Sequence, residues 1–307
     1  MFRKCIYATF LLVLVLSAVV YAGPYNEAPM LSELVAAGKL PPVEDRLPLE
    51  PLVVEPVESI GKYGGTAHAV HMNPESLEDG INLNPYEPML RIAGDYRTFV
   101  PNLATGYEYR NDGKTLLLYL RKGVKWSDGH PFTVDDIIFY FEDVVGNDEL
   151  TPVKPVYWRP GGEMPKLTKI DDYTLQFDFA VPFPVAHMYL PHQTGVQGAF
   201  YLPKHYLKQF HIKYTPKEEV ERLAKENGYD SWWQFFNAKQ VSTAIAGLAD
   251  PEVPVLRAFR MVSNEPSTKV FERNPYYWKV DTEGNQLPYI DRIVIERVED
   301  IEVYNMK

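Results

Sequence analysis

Alternation of apolar and other side chains along the chain predicts β-strands, because successive side chains of a strand point to opposite faces. The clearest run carries Leu116, Leu118 and Leu120 on one face. Glycine-rich or Asn-Asp-Gly turn sequences precede two of the runs, as expected where a strand begins after a turn. The pattern predicts strands at 66–70, 115–120, 173–179 and 290–298.

Apolar residues spaced three or four positions apart predict amphipathic helices between these strands. The strongest pattern begins at Thr133, which has capping-box spacing to Asp136 and can therefore satisfy exposed backbone donors at the helix start. Its apolar stripe comprises Ile137, Ile138, Phe141, Val144 and Val145. Shorter helices are predicted at 30–38, 215–228 and 231–236, and an extended arm is predicted for the Pro- and Glu-rich stretch 41–56. Strands and helices thus mix along the chain, which predicts an α/β fold.

The first residues have the composition of an export signal. Arg3 and Lys4 form a basic N-terminal region. Residues 6–20 form an apolar stretch that is shorter than a typical membrane-spanning helix. The residues just before the predicted cleavage site, which follows Ala22, have small or medium-sized side chains. We therefore predict a cleaved signal peptide at 1–22, with an uncleaved membrane anchor as the alternative.

The single cysteine, Cys5, lies before the apolar core of this signal. A lipoprotein signal would place its cysteine at the cleavage site, so we predict that the protein is not a lipoprotein and that it is soluble in a periplasm. Removing Arg3 and Lys4 from the 31 basic residues leaves 29 against 41 acidic residues, a net charge of −12. This acidity argues against nucleic-acid binding. The mature chain would lack cysteine, which excludes disulfides and thiol catalysis.

The chain shows no sequence signature of an enzyme active site. A nucleophile elbow, a phosphate loop and a dinucleotide-binding glycine fingerprint are all absent. His68 and His71 lie three positions apart in a predicted strand, so they point to opposite faces and are poor metal co-ligands. The stretch 281–285 resembles a calcium loop only faintly, and an ordinary turn is predicted there. A carboxylate pair for glycoside hydrolysis stays open, but no pair is singled out. We predict a protein that is not an enzyme and has no metal site and no cofactor.

Several blocks of residues occur in the order characteristic of one protein family. They are Tyr63-Gly64-Gly65-Thr66, Pro101-Asn102-Leu103-Ala104, Asp112-Gly113-Lys114-Thr115, the run from Leu120 to Thr133 that includes Trp126-Ser127-Asp128-Gly129, the run from Ile170 to Leu175, and Arg273-Asn274-Pro275-Tyr276-Tyr277-Trp278. Together they resemble the family 5 extracellular solute-binding proteins of ABC importers, the group that contains oligopeptide-, dipeptide- and nickel-binding proteins. Two further features resemble the larger members of the family. They are the long N-terminal arm and the block Gly284-Asn285-Gln286-Leu287-Pro288-Tyr289-Ile290-Asp291.

The resemblance implies a type II periplasmic-binding-protein-like α/β fold, in which two lobes enclose the ligand. The corresponding division is a signal peptide at 1–22, an N-terminal arm at 23–62, the first lobe at 63–298 with an extra subdomain at about 86–188, and the start of a helix at 299–307. Family members are much longer than the mature chain, so mainly the first lobe is expected here. A truncated or split coding sequence, or a fragment, is the expected explanation.

The implied function is the capture of oligopeptides for an ABC importer, by a monomer that meets the permease subunits in the membrane. A close alternative is the capture of oligosaccharides, because aromatic residues make up 13% of the chain and suit stacking on sugar rings. A non-binding remnant is a further alternative, since a lone lobe cannot enclose a ligand and loses many of its contacts. A secreted hydrolase is the least favoured function.

The resemblance also implies where the first lobe contacts its ligand. Contacts are expected in the loop after the first strand, in the extra subdomain, and at the start of the returning segment. The matching residues are His71, Met72, Asn73, Tyr157, Trp158, His192, Gln193 and Thr194. For Trp158, as for Trp232 and Trp233, burial in a core is the alternative to stacking on a ligand.

Overall fold

The computed structural model describes residues 25–72, 84–191, 200–241 and 250–306. The predicted signal peptide and four of the predicted contact residues lie outside these ranges; the four are Asn73, His192, Gln193 and Thr194. The strands are β1 (Leu52–Val54), β2 (Thr66–His71), β3 (Leu90–Ile92), β4 (Phe99–Pro101), β5 (Ala104–Arg110), β6 (Thr115–Leu120), β7 (Lys166–Asp171), β8 (Thr174–Asp178), β9 (Phe259–Glu265), β10 (Thr268–Arg273), β11 (Lys279–Asp281) and β12 (Arg292–Arg297).

The helices are short and lie between the strands along the chain. They are α1 (Pro29–Ala36), α2 (Val43–Arg46), α3 (Val134–Ile138), α4 (Lys204–Leu207), α5 (Lys217–Glu226), α6 (Trp232–Val241) and α7 (Ile301–Met306). Within the described ranges, no helix combines the length and the apolarity needed to cross a membrane.

An antiparallel sheet with the strand order β5-β6-β8-β7 is the scaffold of the main core. Leu116 pairs with Phe177 and Leu118 pairs with Leu175, and directly opposite residues share one face of a sheet. All four side chains are fully buried. The ring of Phe141, from the segment that follows α3, packs on this face with its centroid 5.7 Å from that of Phe177.

A second sheet has the strand order β2-β12-β10-β9, with β2 and β12 parallel and the other neighbours antiparallel. Its own apolar cluster consists of Phe259, Met261, Phe271, Ile293 and Ile295. The chain leaves this sheet after β2 and returns to it at β9, and the antiparallel sheet lies between them in sequence. That sheet falls within about 86–188, the range given above for the extra subdomain, whose boundaries stay a prediction.

The predicted capping box is present at the start of α3. The Thr133 N–H donates to Asp136 Oδ2 (3.1 Å), and Thr133 Oγ1 accepts from the Asp135 N–H (3.3 Å). The same Asp136 side chain accepts from the Trp126 indole N–H (3.2 Å) and from the Lys204 backbone N–H (3.0 Å). Burial raises the pKa of Asp136 to about 6. The cap therefore also ties the helix to the preceding turn and to α4.

The helix widens beyond α3 in a way that the sequence did not predict. Phe139–Val145 is π-helical, and the Gly146 N–H donates to the carbonyl of Phe141 (3.0 Å). The wider turn changes which side chains face inward, so that Phe139 and Tyr140 are buried together with most of the predicted stripe. A pattern search with a period of 3.6 residues cannot detect this local change of period.

The predicted strands and the other predicted helices are confirmed, with shifts of a few residues at their ends. The run 115–120 is β6, the run 66–70 extends by one residue to give β2, and the two remaining runs contain β8 and β12. The helices predicted at 30–38, 215–228 and 231–236 correspond to α1, α5 and α6.

The stretch 41–56 is not simply extended, which corrects the prediction from its composition. It contains α2 and β1, and β1 pairs in parallel with β11. Arg46 is fully buried and donates to the carbonyl of Pro41 (3.0 Å) and to Gln286 Oε1 (2.9 Å), and it forms an ion pair with Glu27. Gln286 lies 240 positions further along the chain, so no local pattern could show this docking.

A buried charge cluster joins the segment before β3 to β11. Glu87 Oε2 accepts from Lys279 Nζ (2.7 Å), Asn102 Nδ2 (2.9 Å) and Arg91 Nη2 (3.2 Å), and Oε1 accepts from the Tyr277 hydroxyl (2.6 Å). Burial by itself raises the pKa of Glu87, but the charges of Lys279 and Arg91 and the hydrogen bonds outweigh it and hold the pKa below its ordinary value. Burial lowers the pKa of Lys279 to about 8, although the negative charge of Glu87 acts in the opposite direction. The cluster thus joins the two segments through hydrogen bonds inside the protein.

Candidate ligand-binding site

The carboxyl ends of the parallel strands β2 and β12 lie side by side. His71 at the end of β2 is in register with Arg297 at the end of β12, and the Val298 N–H donates to the carbonyl of His71 (2.8 Å). The His71 side chain is buried, whereas Met72 is 38% exposed. Ligands of open α/β sheets bind outside the carboxyl ends of the strands. This edge is therefore the first part of the candidate site.

Asn84 is firmly anchored beside β9, at the far end of the stretch 73–83. Its Nδ2 donates to the carbonyl of Phe259 (2.9 Å), and its Oδ1 accepts from the Phe259 N–H (3.1 Å). Arg257 Nη1 donates to the carbonyl of Asn84 (3.1 Å), and both side chains are buried. No sequence pattern indicates these residues, because a single Asn and a single Arg far apart in the chain have no informative spacing.

Tyr157 and Trp158 are neighbours in one turn, but they lie in different environments. Tyr157 is 49% exposed, whereas Trp158 is 6% exposed and belongs to the main core. The Trp158 ring stacks on Phe177 with centroids 5.5 Å apart and lies nearly perpendicular to the ring of Phe141, with centroids 5.6 Å apart. Of the two predicted contacts, Tyr157 presents its ring to solvent and Trp158 supports the turn from within.

Tyr189 connects this turn to the segment that leads to the remaining predicted contacts. Its ring centroid lies 5.8 Å from that of Tyr157 and 6.0 Å from that of Trp158. Tyr189 precedes His192 by three positions. These ring contacts bring the Tyr157 turn next to the segment that ends at Pro191. His71 and Met72 belong to the other part of the candidate site, at the carboxyl end of β2 in the second sheet.

His187 holds this segment to β5 through a hydrogen-bond pair with one tyrosine. The Tyr109 hydroxyl accepts from the His187 backbone N–H (2.9 Å) and lies 3.1 Å from His187 Nδ1. The hydroxyl hydrogen can donate to Nδ1 when the imidazole is neutral, and burial of the ring favours that form. The imidazole also stacks on Tyr107 with centroids 5.0 Å apart. Burial lowers the pKa of His187, although a hydrogen bond to the carbonyl of Pro184 acts in the opposite direction.

The contribution of His187 to the stability of the protein is therefore expected to fall as the pH is lowered from about 7.5 to about 5.5. The unfolded state takes up a proton at His187 near the ordinary histidine pKa, while the folded state resists it, so this contribution rises with pH through this window. Urea unfolding followed by circular dichroism at several pH values measures the effect. We expect the slope to be smaller in His187→Gln than in the unchanged protein. Equal slopes in the two proteins would contradict the assigned imidazole state.

The described residues show no arrangement suited to metal chemistry. No group of three or more His, Cys, Asp or Glu side chains within these ranges could hold a metal ion. The turn predicted at 281–285 is confirmed, and its leading carboxylate is used within the turn. Asp281 accepts from the Glu283 N–H (2.8 Å), from the Asn285 N–H (2.9 Å) and from the Tyr289 hydroxyl (2.6 Å).

Known proteins provide a comparison for this arrangement. Residues 98–306 match the family model described as "Bacterial extracellular solute-binding proteins, family 5 Middle". A periplasmic alpha-galactoside-binding protein of Rhizobium meliloti is 34% identical over a match of 291 residues that covers 88% of this chain. A solved structure named oligopeptide-binding protein OppA is 42% identical, with a TM-score of 0.83 over 92% of this chain. The periplasmic binding protein MelB from Agrobacterium fabrum, in complex with stachyose, is 33% identical, with a TM-score of 0.70 over 89% of this chain.

These relatives also confirm the predicted fold class, the α/β periplasmic-binding-protein-like fold, of which this chain covers a part. The chain spans 38% of the length of the galactoside-binding relative and 43% and 41% of the two solved chains. The family match extends over more than half of the chain and includes the antiparallel sheet, the Tyr157 turn and most of the second sheet. The chain therefore belongs to the bacterial extracellular solute-binding proteins of family 5.

Proposed function

We propose that this chain captures a solute outside the cytoplasmic membrane and presents it to the permease subunits of an ABC importer. The observation that carries the proposal is the family match over residues 98–306, in a chain whose relatives are named as binding proteins. The proposal includes export by the signal peptide at 1–22, a periplasmic location without a lipid anchor, and action as a monomer. The name of the Rhizobium relative supports the periplasmic location.

The proposed contacts lie in the two parts of the candidate site. His71 and Met72 lie at the carboxyl end of β2. Tyr157 is about half exposed and lies in the turn before β7 of the antiparallel sheet. Trp158 was predicted as a contact, and its packing favours a supporting role for the Tyr157 turn. Binding without turnover is proposed, so hydrolysis of a labelled oligosaccharide or peptide by the purified protein would contradict this function.

Two ligand classes follow from the relatives. The sequence resemblance implied oligopeptides, and the name of the 42% identical structure supports that class. The alpha-galactoside-binding relative and the stachyose complex support oligosaccharides at 34% and 33% identity. Each of these three similarities extends over most of this chain, so the ligand class has to be decided by a binding measurement.

Thermal unfolding of the mature chain with a panel of solutes tests the proposal. The panel contains tri- and tetra-alanine, raffinose and stachyose, with mannitol at equal concentration as the control for a general osmolyte effect. A ligand at about 100 times its dissociation constant adds about 2.7 kcal/mol to the free energy of unfolding. We expect a rise of several degrees in Tm with one ligand class and no matching rise with mannitol. No rise with any solute, in a chain that unfolds cooperatively, would contradict the proposed function.

A further inference from the structure

Two tyrosine rings, one exposed and one half-buried, pack on other aromatic rings beside the antiparallel sheet. Tyr157 and Tyr189 have their ring centroids 5.8 Å apart with an angle of 46° between the ring planes. Behind Tyr189, the ring of Phe183 stacks at 5.9 Å and the ring of Trp158 packs at 6.0 Å. Trp158 in turn stacks on Phe177 in the core. The pair is thus fixed from behind, while about half of the Tyr157 surface stays accessible to a ligand.

The segments that carry the pair include exposed apolar side chains, and one of them lacks charged residues. The segment 179–191, which contains Tyr189, has no Asp, Glu, Lys or Arg, although such residues make up 23% of the chain. Val156, Val185 and Met188 are exposed large apolar side chains in the same two segments. Exposed apolar residues that lie close together indicate a binding surface more often than residues scattered singly.

The two charged residues nearest to Tyr157 in sequence are engaged in their own loops. Lys154 forms an ion pair with Asp148 (2.8 Å) and donates to the carbonyl of Thr151 (2.8 Å). Arg159 donates from both Nε (3.0 Å) and Nη2 (2.6 Å) to the carbonyl of Gly162. A peptide brings charged termini, which need counter-charges when they are taken out of water. A neutral sugar has no such requirement.

We infer that the Tyr157–Tyr189 pair is a stacking platform for a neutral pyranose ring of an oligosaccharide ligand. The C–H groups on one face of a galactose ring form an apolar surface of the size of an aromatic ring, and the tyrosine hydroxyls can bond to the sugar hydroxyls at its rim. The α-galactoside and stachyose ligands in the names of two relatives are neutral sugars of this kind. The inference rests on the proposed function and assigns its ligand class.

Calorimetric titration of the mature chain with stachyose tests the platform, with tetra-alanine as the competing ligand class. Tyr157→Ala removes the exposed ring and is expected to weaken stachyose binding by about tenfold. Tyr157→Phe keeps the ring and is expected to stay within about threefold of the unchanged protein. Tyr96→Ala is the matched control, because Tyr96 is 88% exposed in the β3–β4 turn. The stachyose affinity of Tyr96→Ala is expected to equal that of the unchanged protein.

The outcomes separate this inference from the proposed function. Equal stachyose affinities for the unchanged protein and Tyr157→Ala would overturn the platform and leave solute binding intact. Binding of tetra-alanine without binding of stachyose would also overturn it, again with the proposed function intact. Failure to bind either ligand would overturn both. If sedimentation shows a dimer that Tyr157→Ala converts to a monomer, the pair is an interface between copies of this chain, and the platform is likewise overturned.

Discussion

We expect Glu87→Ala to lower the free energy of unfolding by about 3–5 kcal/mol, which is the usual cost of removing one member of a buried ion pair. The side chains of Glu87 and Lys279 are 2% and 5% exposed. Without the carboxylate, the Lys279 side chain is left in the interior without its anionic partner, beside Trp278, with Nζ 4.7 Å from the ring centroid. Tyr277 also loses its hydrogen-bond acceptor. Urea unfolding at pH 7, followed by circular dichroism, measures the change.

The pH dependence of the Glu87→Ala effect provides an internal check. The pKa of Glu87 is held below its ordinary value, so the carboxylate contributes stability above the ordinary pKa of a glutamate. This contribution is lost as the pH falls through the lowered pKa, because the folded state then takes up the proton as well. The difference in stability between the two proteins is therefore expected to narrow in acid.

Glu108→Ala is the matched control for this substitution. Glu108 also accepts from an arginine and a tyrosine, Arg110 (2.8 Å) and Tyr119 (2.7 Å), but it does so on the exposed surface. Water replaces these partners when the side chain is removed, so the unfolding midpoint is expected to stay close to that of the unchanged protein. Similar midpoints for Glu87→Ala and Glu108→Ala would refute the structural role of the buried cluster.

Trp158→Ala is the second substitution with a large expected effect, a loss of about 3–5 kcal/mol in the free energy of unfolding. Trp158 packs against four other aromatic rings of the core with centroids within 6.4 Å; these are Phe141, Phe177, Phe179 and Phe200. Removing the indole leaves a cavity that these rings cannot fill completely. Urea unfolding measures the loss, and near-ultraviolet circular dichroism reports the loosened aromatic packing.

Tyr157→Ala is the control for Trp158→Ala, since it changes the neighbouring residue of the same turn. About half of the Tyr157 surface is exposed, so its removal is expected to change stability much less than removal of Trp158. If Trp158→Ala unfolds at the same urea concentration as the unchanged protein but binds ligand more weakly, Trp158 is a ligand contact, and its assignment as a supporting residue is wrong.

The candidate site shows how far local sequence patterns extend. The position of His71 and Met72 after the first strand could be predicted, because alternation and a preceding Gly-Gly turn define β2. The different environments of Tyr157 and Trp158 could not be predicted. Adjacent aromatic residues in a short turn have no periodicity that separates an inner from an outer side chain. The contact of Arg257 with the distant segment before β3 was missed because it joins residues 173 positions apart.

Local sequence patterns were sufficient for β2, β6, β8 and β12, for the capped helix at Thr133 and for the family, because each depends on residues that are close together in the chain. Backbone geometry imposes periods of two or about 3.6 residues on these patterns. The pairing of β2 with β12, the docking of Arg46 and the burial of Glu87 against Lys279, which is 192 positions away, are visible only in the folded protein. Such contacts depend on which surfaces exclude water from each other when the sheets pack, and that choice is made by the whole fold.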